Sequence, residues 1–499
     1  MTDAPTRLAT LLAEARARSI ASGSRVLISV VERIPGIDPL VAIASSAARA
    51  LETRMYWARP VDRFALAGFG AAISLVGVGP DRFSHLDEEW THLQRDAIVD
   101  DESSGAPGAG PTLMGGFSFD PQGPRTSRWR DFPAASLALP SIQLATDAGR
   151  SWLTTNVVVD ASGQTAADLP SLLALRDRIV RQGQDQPVAV PPDGRTFRWR
   201  EPLAGERWRD TVRAAIAAIR GGSLEKVVLA REERSAIPPR LDVARTLRRL
   251  ADAHPGCFVF GCWRGESVFV GASPELFVRL EGRDVVASSL AGSMSRGADE
   301  ADDDALAADL LASGKDRVEH DVVSRALAEG LAELCDDIVL PDGPSILSLP
   351  HVHHLHTAVR ARLRPEHSLL ALVARLHPTP AVGGAPREEA LRFIRDRERL
   401  DRGWYAAPIG WIQAGRGELA VALRCALIAR GEASLFAGCG IVADSDPDAE
   451  YTESEVKLLP MKSALSGRLQ RVRAGIGAGS AGDGGRVGGA GGAGGGALR

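Results

Sequence analysis

Lysine is nearly absent from this 499-residue chain. The sequence holds 59 lysine and arginine residues together, and lysine occurs at four positions, 226, 315, 457 and 462. Arginine stays protonated under ordinary conditions, whereas a lysine can give up its proton when its surroundings favour the neutral amine. A lysine in a chain that otherwise uses arginine is therefore a candidate for chemistry. Lys226, in SLEKVVLARE (223–232), raises this question first.

Other scarcities exclude several classes of protein. The five cysteines are scattered without a CxxC pair, which argues against a disulfide framework or structural zinc and favours free thiols in a reducing compartment. The sequence has no apolar signal core at its start and no run of the ~20 apolar residues that a membrane helix needs. A net charge of −4 gives no general attraction to nucleic acid. We therefore expect a cytoplasmic protein that binds neither nucleic acid nor membrane.

The order of segments predicts two structured parts and a tail. Strand-like segments dominate the N-terminal part, and a polar, proline-rich segment at 182–196 predicts its boundary. We assign residues 1–195 to a β-rich N-terminal part and 196–470 to a mixed region. In that region, CFVFGCW and SVFVGASP predict a hairpin, and ELAVALRCALIAR predicts a strand. The glycine-rich segment 471–499 predicts a disordered tail.

Two acidic helical stripes predict a site for a divalent cation. On a helix through KDRVEHDVV, Asp316 and Glu319 share the stripe that otherwise carries apolar residues. On a second helix, Glu450, Glu453 and Lys457 share one stripe, although this pattern alone equally suits a solvated face with an ordinary ion pair. Carboxylates from two helices are the ligands that Mg²⁺ prefers. Together the stripes favour a magnesium site.

Three further segments carry weaker signals. Glu275 follows Ser-Pro at the end of an apolar run, a composition that is also common in turns. The glycine-rich AGCGIV (437–442) can hold an anion on backbone amides or form a plain strand-to-helix turn. The histidines of VHHLHT (352–357) have no cysteine or acid at zinc-ligand spacing, so we favour hydrogen bonding for one of them.

The order of these segments resembles the chorismate-utilising enzymes, and most closely the isochorismate synthases among them. The resemblance covers about residues 200–465, and nine motifs in order carry it: LEKVVLAR (224–231), GASPELF (271–277), LAGSMSRG (290–297), KDRVEHDVV (315–323), VHHLHT (352–357), HPTPAVGGAP (377–386), RGWYAAPIGW (402–411), ELAVALR (418–424) and GCGIVADSDPDAEYTESEVK (438–457).

The resemblance implies a role for each matching residue. Lys226 would be the general base that activates a water, and Glu275 the general acid that protonates the departing hydroxyl. Glu319 and Glu453 would bind Mg²⁺, with Asp316 and Glu450 acting directly or through water. Tyr405 and Arg424 would hold the enolpyruvyl carboxylate of chorismate. The remaining implied substrate-binding residues are Ala291, Gly292, Ser293, His354, Ala381, Gly438, Gly440 and Lys457.

The resemblance also implies a fold and a reaction. The fold is α/β (α+β), with two large, mainly antiparallel β-sheets packed face to face and helices outside. Ala291 stands where relatives with a covalent lysine route carry lysine, and Ala381 where salicylate-forming relatives carry threonine. We therefore expect an isochorismate synthase, with salicylate- or anthranilate-forming enzymes and a non-catalytic metabolite-binding protein as alternatives. The resemblance further implies a monomer without a glutaminase subunit, whose product feeds menaquinone or siderophore synthesis.

Overall fold

A computed structural model describes residues 4–123, 126–185, 197–203, 205–237, 241–350 and 352–468. These residues form 22 strands: β1 Val26–Ile34, β2 Thr53–Arg59, β3 Phe64–Phe69, β4 Ile73–Gly77, β5 Ile98–Asp101, β6 Leu113–Phe117, β7 Ala135–Leu139, β8 Ile142–Asp147, β9 Arg150–Val159, β10 Lys226–Ala236, β11 Phe258–Arg264, β12 Ser267–Ser273, β13 Leu276–Glu281, β14 Asp284–Ser295, β15 Cys335–Val339, β16 Ser345–Ser348, β17 Val352–Leu363, β18 Gly384–Ala385, β19 Pro408–Gln413, β20 Arg416–Val421, β21 Cys425–Ala429 and β22 Glu432–Ile441.

Twelve α-helices accompany the strands of the described ranges, with short 3₁₀ turns at Pro60–Asp62 and Ser127–Trp129. The helices are α1 Ala4–Ser22, α2 Pro39–Ala44, α3 Ser46–Arg49, α4 Arg82–Arg95, α5 Leu169–Gly183, α6 Gly205–Arg220, α7 Val243–Ala253, α8 Glu300–Ala312, α9 Gly314–Ala332, α10 Leu369–Leu376, α11 Arg387–Arg397 and α12 Pro447–Ser466. None of these helices combines the length and the hydropathy needed to cross a bilayer.

The strands form two large sheets, which confirms the predicted fold class. The first has twelve strands in the order β18-β10-β22-β21-β12-β11-β2-β3-β8-β9-β1-β5. The second has ten, in the order β15-β17-β14-β13-β20-β19-β6-β7-β4, with β16 paired to β17. Every strand pair is antiparallel except β1 with β5. The predicted hairpin is confirmed as β11 and β12.

Alternation along the strands of the first sheet builds two separate cores. Successive side chains of a strand point to opposite faces, so one strand can supply both. On β11, Phe258 and Phe260 belong to a core shared with second-sheet residues such as Val278, whereas Val259 and Trp263 belong to a core shared with helices such as α7. One face of the first sheet therefore covers the second sheet, and the other carries helices.

The predicted strand ELAVALRCALIAR is wrong as a single element. The structure divides it into β20 of the second sheet and β21 of the first, separated by residues 422–424. Arg424 sits at this crossing in the left-handed region, with φ of 46°. A period-2 apolar pattern continues through both strands, so the sequence gives no sign of the break. The crossing places the Arg424 side chain between the sheets.

The two parts predicted from the sequence share both sheets. Strands β1–β9 occupy one end of each sheet, and strands β10–β22 occupy the other. The predicted boundary at 195/196 and the predicted tail at 471–499 lie outside the described residues, and the division stays a prediction. The shared sheets make a cleft to which residues far apart in sequence contribute.

Candidate active site

A cavity of about 280 Å³ lies between the two sheets, and it gathers the residues that the sequence singled out. Of the 16 predicted site residues, 15 line this cavity, and the other, Lys226, lies directly behind its wall. The first sheet contributes β10 and β22, the second contributes β14 and β17, and helices α9 and α12 supply the acids. The motifs therefore converge on one site, although their individual roles stay predictions.

Lys226 is completely buried at the start of β10. Its Nζ lies 3.0 Å from Glu319 Oε1, which reaches across from α9. The neighbouring strand supplies Gly440, where an added Cβ would lie 2.1 Å from Glu319 Oε1 and 2.9 Å from Lys226 Cε. The glycine therefore leaves the space that this contact occupies, and Gly440 serves here through its missing side chain.

Glu275 is a buried carboxyl at the link between β12 and β13. Burial raises the pKa of Glu275 to about 8, although the positive charges of Lys226, Arg424 and Lys457 act in the opposite direction. Removing a carboxylate from water disfavours its charged form, and here this effect exceeds the attraction of three cations. At neutral pH the side chain therefore carries a proton that it can donate.

Three of the four lysines of the chain pair with the three glutamates that the motifs assign to the metal. Besides the pair Lys226–Glu319, Lys457 Nζ lies 2.5 Å from Glu453 Oε1, and Lys315 Nζ lies 3.0 Å from Glu450 Oε1. Lys457 also donates to Gly438 O over 3.0 Å. Ser293 donates to Glu453 over 2.6 Å. Each of these three glutamates thus has a lysine Nζ within 3.0 Å.

The acidic cluster has the chemistry of a site for a hard divalent cation. Burial and the neighbouring Glu453 raise the pKa of Glu450, while burial and repulsion from Glu319 and Glu453 raise the pKa of Asp316. Oxygens of Glu450 and Glu453 also lie within 4.8 Å of each other and of Cys439 Sγ. Several carboxylates that repel one another in a partly buried cavity offer the oxygen ligands that Mg²⁺ prefers. The donor set therefore fits the predicted ion.

Arg424 provides a positive charge without a carboxylate partner. Within the described ranges it forms no ion pair, and burial lowers the pKa of its guanidinium. Tyr405, which is buried, lines the same cavity and stacks on Phe436 with ring centroids 5.2 Å apart. A guanidinium that is partly withdrawn from water and faces a cavity favours an anionic ligand, because its cost of desolvation falls when a counter-ion arrives.

The segment 291–293 and His354 form the opposite wall. Gly292 has φ of 78°, and an added Cβ would lie 3.0 Å from Asp316 Cβ. His354 Nδ1 donates to Gly292 O over 3.2 Å, which leaves Nε2 as an acceptor without a partner within the described residues. Burial and the nearby Arg424 and Lys457 lower the pKa of His354 to about 3, so the ring is neutral. Its hydrogen bond accords with the role favoured from the sequence.

Lys315 and several apolar residues of the site escape sequence reasoning. In the sequence alone, Lys315 resembles an ordinary residue at the start of a helix. In the structure it lines the cavity and pairs with Glu450. The scarcity of lysine and its place next to Asp316 are the signals that could have identified it. Val228, Leu290, Val382 and Phe436 also line the cavity and carry no signal of their own, because core strands are rich in such residues.

Comparison with known proteins agrees with this arrangement. The family described as "Chorismate binding enzyme" matches residues 12–466. The chain is 38% identical to the salicylate biosynthesis isochorismate synthase of Pseudomonas aeruginosa, over 88% of this chain and 90% of that protein. It is 36% identical to the isochorismate synthase MenF of Bacillus subtilis, over 89% of this chain and 94% of that protein.

Solved structures of the same fold include enzymes that make different products. MenF from Escherichia coli, described as a menaquinone-specific isochorismate synthase, has a TM-score of 0.71 at 22% identity, covering 91% of this chain and 99% of that one. Anthranilate synthase component I from Streptococcus pneumoniae has a TM-score of 0.65 at 22% identity, covering 80% and 92%. These similarities concern the fold, which both reactions share.

The fold, the converged motifs and these matches define an enzyme of the chorismate-utilising class. The chain belongs to the chorismate binding enzyme family. The resemblance recognised in the sequence is thereby confirmed, and the cavity between the sheets is its candidate active site.

Proposed function

We propose that the protein is an Mg²⁺-dependent isochorismate synthase, which adds a hydroxyl from water at C2 of chorismate while the C4 hydroxyl leaves. The observation that carries the proposal is a pair of reactive groups at one cavity. Glu275 has a pKa of about 8 and so holds a proton at neutral pH, and Lys226 is a buried amine behind the same wall. The reaction needs both a proton donor and a proton acceptor, because water enters while hydroxide leaves.

In this proposal the neutral amine of Lys226 accepts the proton of the water that attacks C2. Glu275 donates a proton to the hydroxyl that leaves C4, so the ring loses and gains one hydroxyl overall. In the reverse direction Glu275 accepts the proton of the water that attacks C4 and Lys226 donates a proton to the hydroxyl that leaves C2. Lysine suits the first task because it can lose a proton, whereas arginine cannot under these conditions.

The substrate's carboxylates would meet the two charged parts of the cavity. Arg424, which has no ion-pair partner in the described ranges, and Tyr405 would hold the enolpyruvyl carboxylate. Glu319 and Glu453 would hold Mg²⁺, with Asp316 and Glu450 beside them. When bound, the ion would neutralise the ring carboxylate next to these acids. Lys315 and Lys457 keep Glu450 and Glu453 in place through their ion pairs.

Water rather than ammonia is the nucleophile in this proposal, so a single chain suffices and no glutaminase subunit is needed. We also propose a monomer in the cytoplasm. The five free, buried cysteines of the chain support a reducing compartment, because each thiol stays unpaired.

Product analysis tests the proposed reaction. Purified protein incubated with chorismate and Mg²⁺ should give isochorismate alone, in a mixture that reaches the same equilibrium from either substrate. Removal of Mg²⁺ with a chelator should stop turnover, and added Mg²⁺ should restore it. Salicylate with pyruvate, or anthranilate when ammonia is supplied, would replace the proposal by another reaction of the family.

A further inference from the structure

A second cavity, of about 340 Å³, lies beside β10, farther along the strand from the candidate active site. Its walls come from α6, from the 3₁₀ turn at Ser127–Trp129, from β10 and from the end of α11. None of its lining residues belongs to the candidate active site. Its volume suits a single small ring compound, since ligand pockets begin at about 300 Å³.

The floor of this second cavity suits a flat ring. Leu203, Trp208 and Leu400 supply apolar surface, and Trp208 is 7% exposed. Trp208 packs edge to face against Tyr451, with ring centroids 5.9 Å apart, so its position in the wall of the cavity is fixed.

The rim of the second cavity carries unbalanced positive charge. Six arginines and four acidic residues line it. Arg128, Arg231 and Arg234 pair with glutamates. Arg207, Arg397 and Arg399 have no ion-pair partner in the part of the chain that the structure describes, and all three are exposed enough to meet a ligand. Guanidinium groups bind carboxylates through paired, charge-assisted hydrogen bonds.

We propose that the second cavity binds a small aromatic carboxylate and that this binding is linked to the active site through Glu398 and Arg402. The apolar floor takes the ring, and the unpaired arginines at the rim take the carboxylate. This proposal does not depend on which product the active site makes, because it is based on the residues that line the second cavity.

The link consists of one buried ion pair that touches both cavities. Glu398 lines the second cavity, accepts from Ala230 N over 2.8 Å, and pairs with Arg402, whose Nη2 lies 2.5 Å from Glu398 Oε2. Arg402 in turn donates to Val228 O over 2.8 Å and to Val382 O over 2.9 Å.

Val228 and Val382 line the active-site cavity, and Lys226 precedes Val228 by two residues. The side chains of Arg402 and Glu398 are 3% and 1% exposed, so their hydrogen bonds act at low dielectric and hold fixed positions. A ligand that shifts Glu398 therefore shifts the wall of the active site.

Fluorine NMR titration with 4-fluorobenzoate tests the binding site. The titration is made with saturating chorismate and Mg²⁺, so that the active site is already filled. One molecule should bind, and the neutral analogue 4-fluorobenzamide should bind about tenfold more weakly, because it lacks the charge that the arginines recognise.

Variants locate the bound probe. The double variant Arg207→Ala, Arg397→Ala should weaken 4-fluorobenzoate binding by about tenfold or more. Arg213→Ala, which removes an exposed arginine of the same helix α6 outside the cavity, should leave it unchanged. Equal affinity in wild type and the double variant, or complete displacement of the probe by chorismate, would overturn the proposed site.

The link is tested by the effect of 4-fluorobenzoate on chorismate consumption. Allosteric coupling commonly changes affinity by about 5-fold to 150-fold. The probe should change kcat/KM for chorismate by several-fold in wild type, and this change should be lost in the Arg207→Ala, Arg397→Ala variant and in Glu398→Gln. Simple competition at the active site would persist in the double variant. An effect of equal size in wild type and double variant would overturn the link.

Discussion

Lys226 Nζ and Glu319 Oε1 meet 3.0 Å apart in a space that exists because residue 440 has no side chain. The contact joins β10 of the first sheet to α9, which packs on β14 of the second. Gly440 of β22, the strand beside β10, thus leaves the space in which a proposed base and a proposed metal ligand meet.

Gly440→Ala should therefore damage the active site more than the fold. The new Cβ would lie 2.1 Å from Glu319 Oε1 and 2.9 Å from Lys226 Cε, so these two side chains must shift. Displacement of a reacting group by about 1 Å can cost about a hundredfold in rate, and we expect kcat/KM to fall by that order. Gly343→Ala is the control, since its added Cβ would meet nothing within 4 Å and residue 343 lies outside the cavity. Equal losses in both variants would contradict this explanation.

Lys226→Arg should abolish most activity while the protein stays folded. Arginine keeps hydrogen-bond donors beside Glu319 but cannot accept the proton of the attacking water. Loss of a general base typically costs ~10²–10⁴-fold, measured here as kcat for isochorismate formation. Lys462→Arg is the control, because Lys462 lies outside the cavity, where its Nζ is 2.7 Å from Glu233 Oε2. Near-normal turnover by Lys226→Arg would remove Lys226 from the role of base.

Glu275 predicts a pH dependence of catalysis. Burial raises its pKa to about 8, so the acid form that donates a proton is present below that pH and is lost above it. The rate of isochorismate formation, as kcat/KM of the wild type, should therefore fall as the pH rises through about 8. Glu275→Gln should lower the rate by ~10²–10⁴-fold, and its residual rate should lack this alkaline decline.

The same residue predicts a pH dependence of stability. The folded state keeps its proton up to about pH 8, whereas the unfolded carboxyl loses it near 4.5. The folded state therefore binds more protons in this window, and the free energy of unfolding falls as the pH rises from 4.5 toward 8. Glutamine does not ionise, so the Glu275→Gln variant does not lose stability in this way as the pH rises. The melting temperature of Glu275→Gln should rise relative to wild type across the window, and a constant difference would argue against the raised pKa.

Glu453→Gln should first weaken the binding of Mg²⁺. The change removes one charged oxygen from the acidic cluster while keeping the shape of the side chain. The Mg²⁺ concentration for half-maximal activity should rise by about tenfold or more, and calorimetry should show the same loss of Mg²⁺ affinity. Glu455→Gln, two residues along α12, is the control, because Glu455 contacts Arg231 outside the cavity. An unchanged Mg²⁺ titration in Glu453→Gln would exclude it as a ligand.

The sequence predicted those parts of the site whose signal is local. Lys226, Glu275 and the acids of α9 and α12 each lie in a short motif, and period-3.6 patterning placed the acids on common stripes. The motifs could not predict that Glu319 turns to Lys226 and Glu450 to Lys315. Those contacts depend on the positions of whole helices relative to β10 and β22.

The crossing at Arg424 shows why part of the fold could not be predicted. A non-glycine residue in the left-handed region has no reliable signature, so ELAVALRCALIAR looked like one strand. The pairing of β10 with β22 is similarly invisible, because Val227 and Ile441 meet across more than two hundred residues. The same holds for the second cavity, whose walls come from four separate segments.

The ion pairs of the lysines also determine how the protein reacts with amine-directed reagents. All four lysine side chains contact a glutamate, and their exposed fractions are 0% for Lys226, 13% for Lys457, 9% for Lys462 and 37% for Lys315. The folded surface, coated with arginine, thus offers an acylating reagent one reachable lysine amine, and that amine stands at the cavity. Acylation of the other three would record an opening of the fold, residue by residue, in an ordinary mass spectrum.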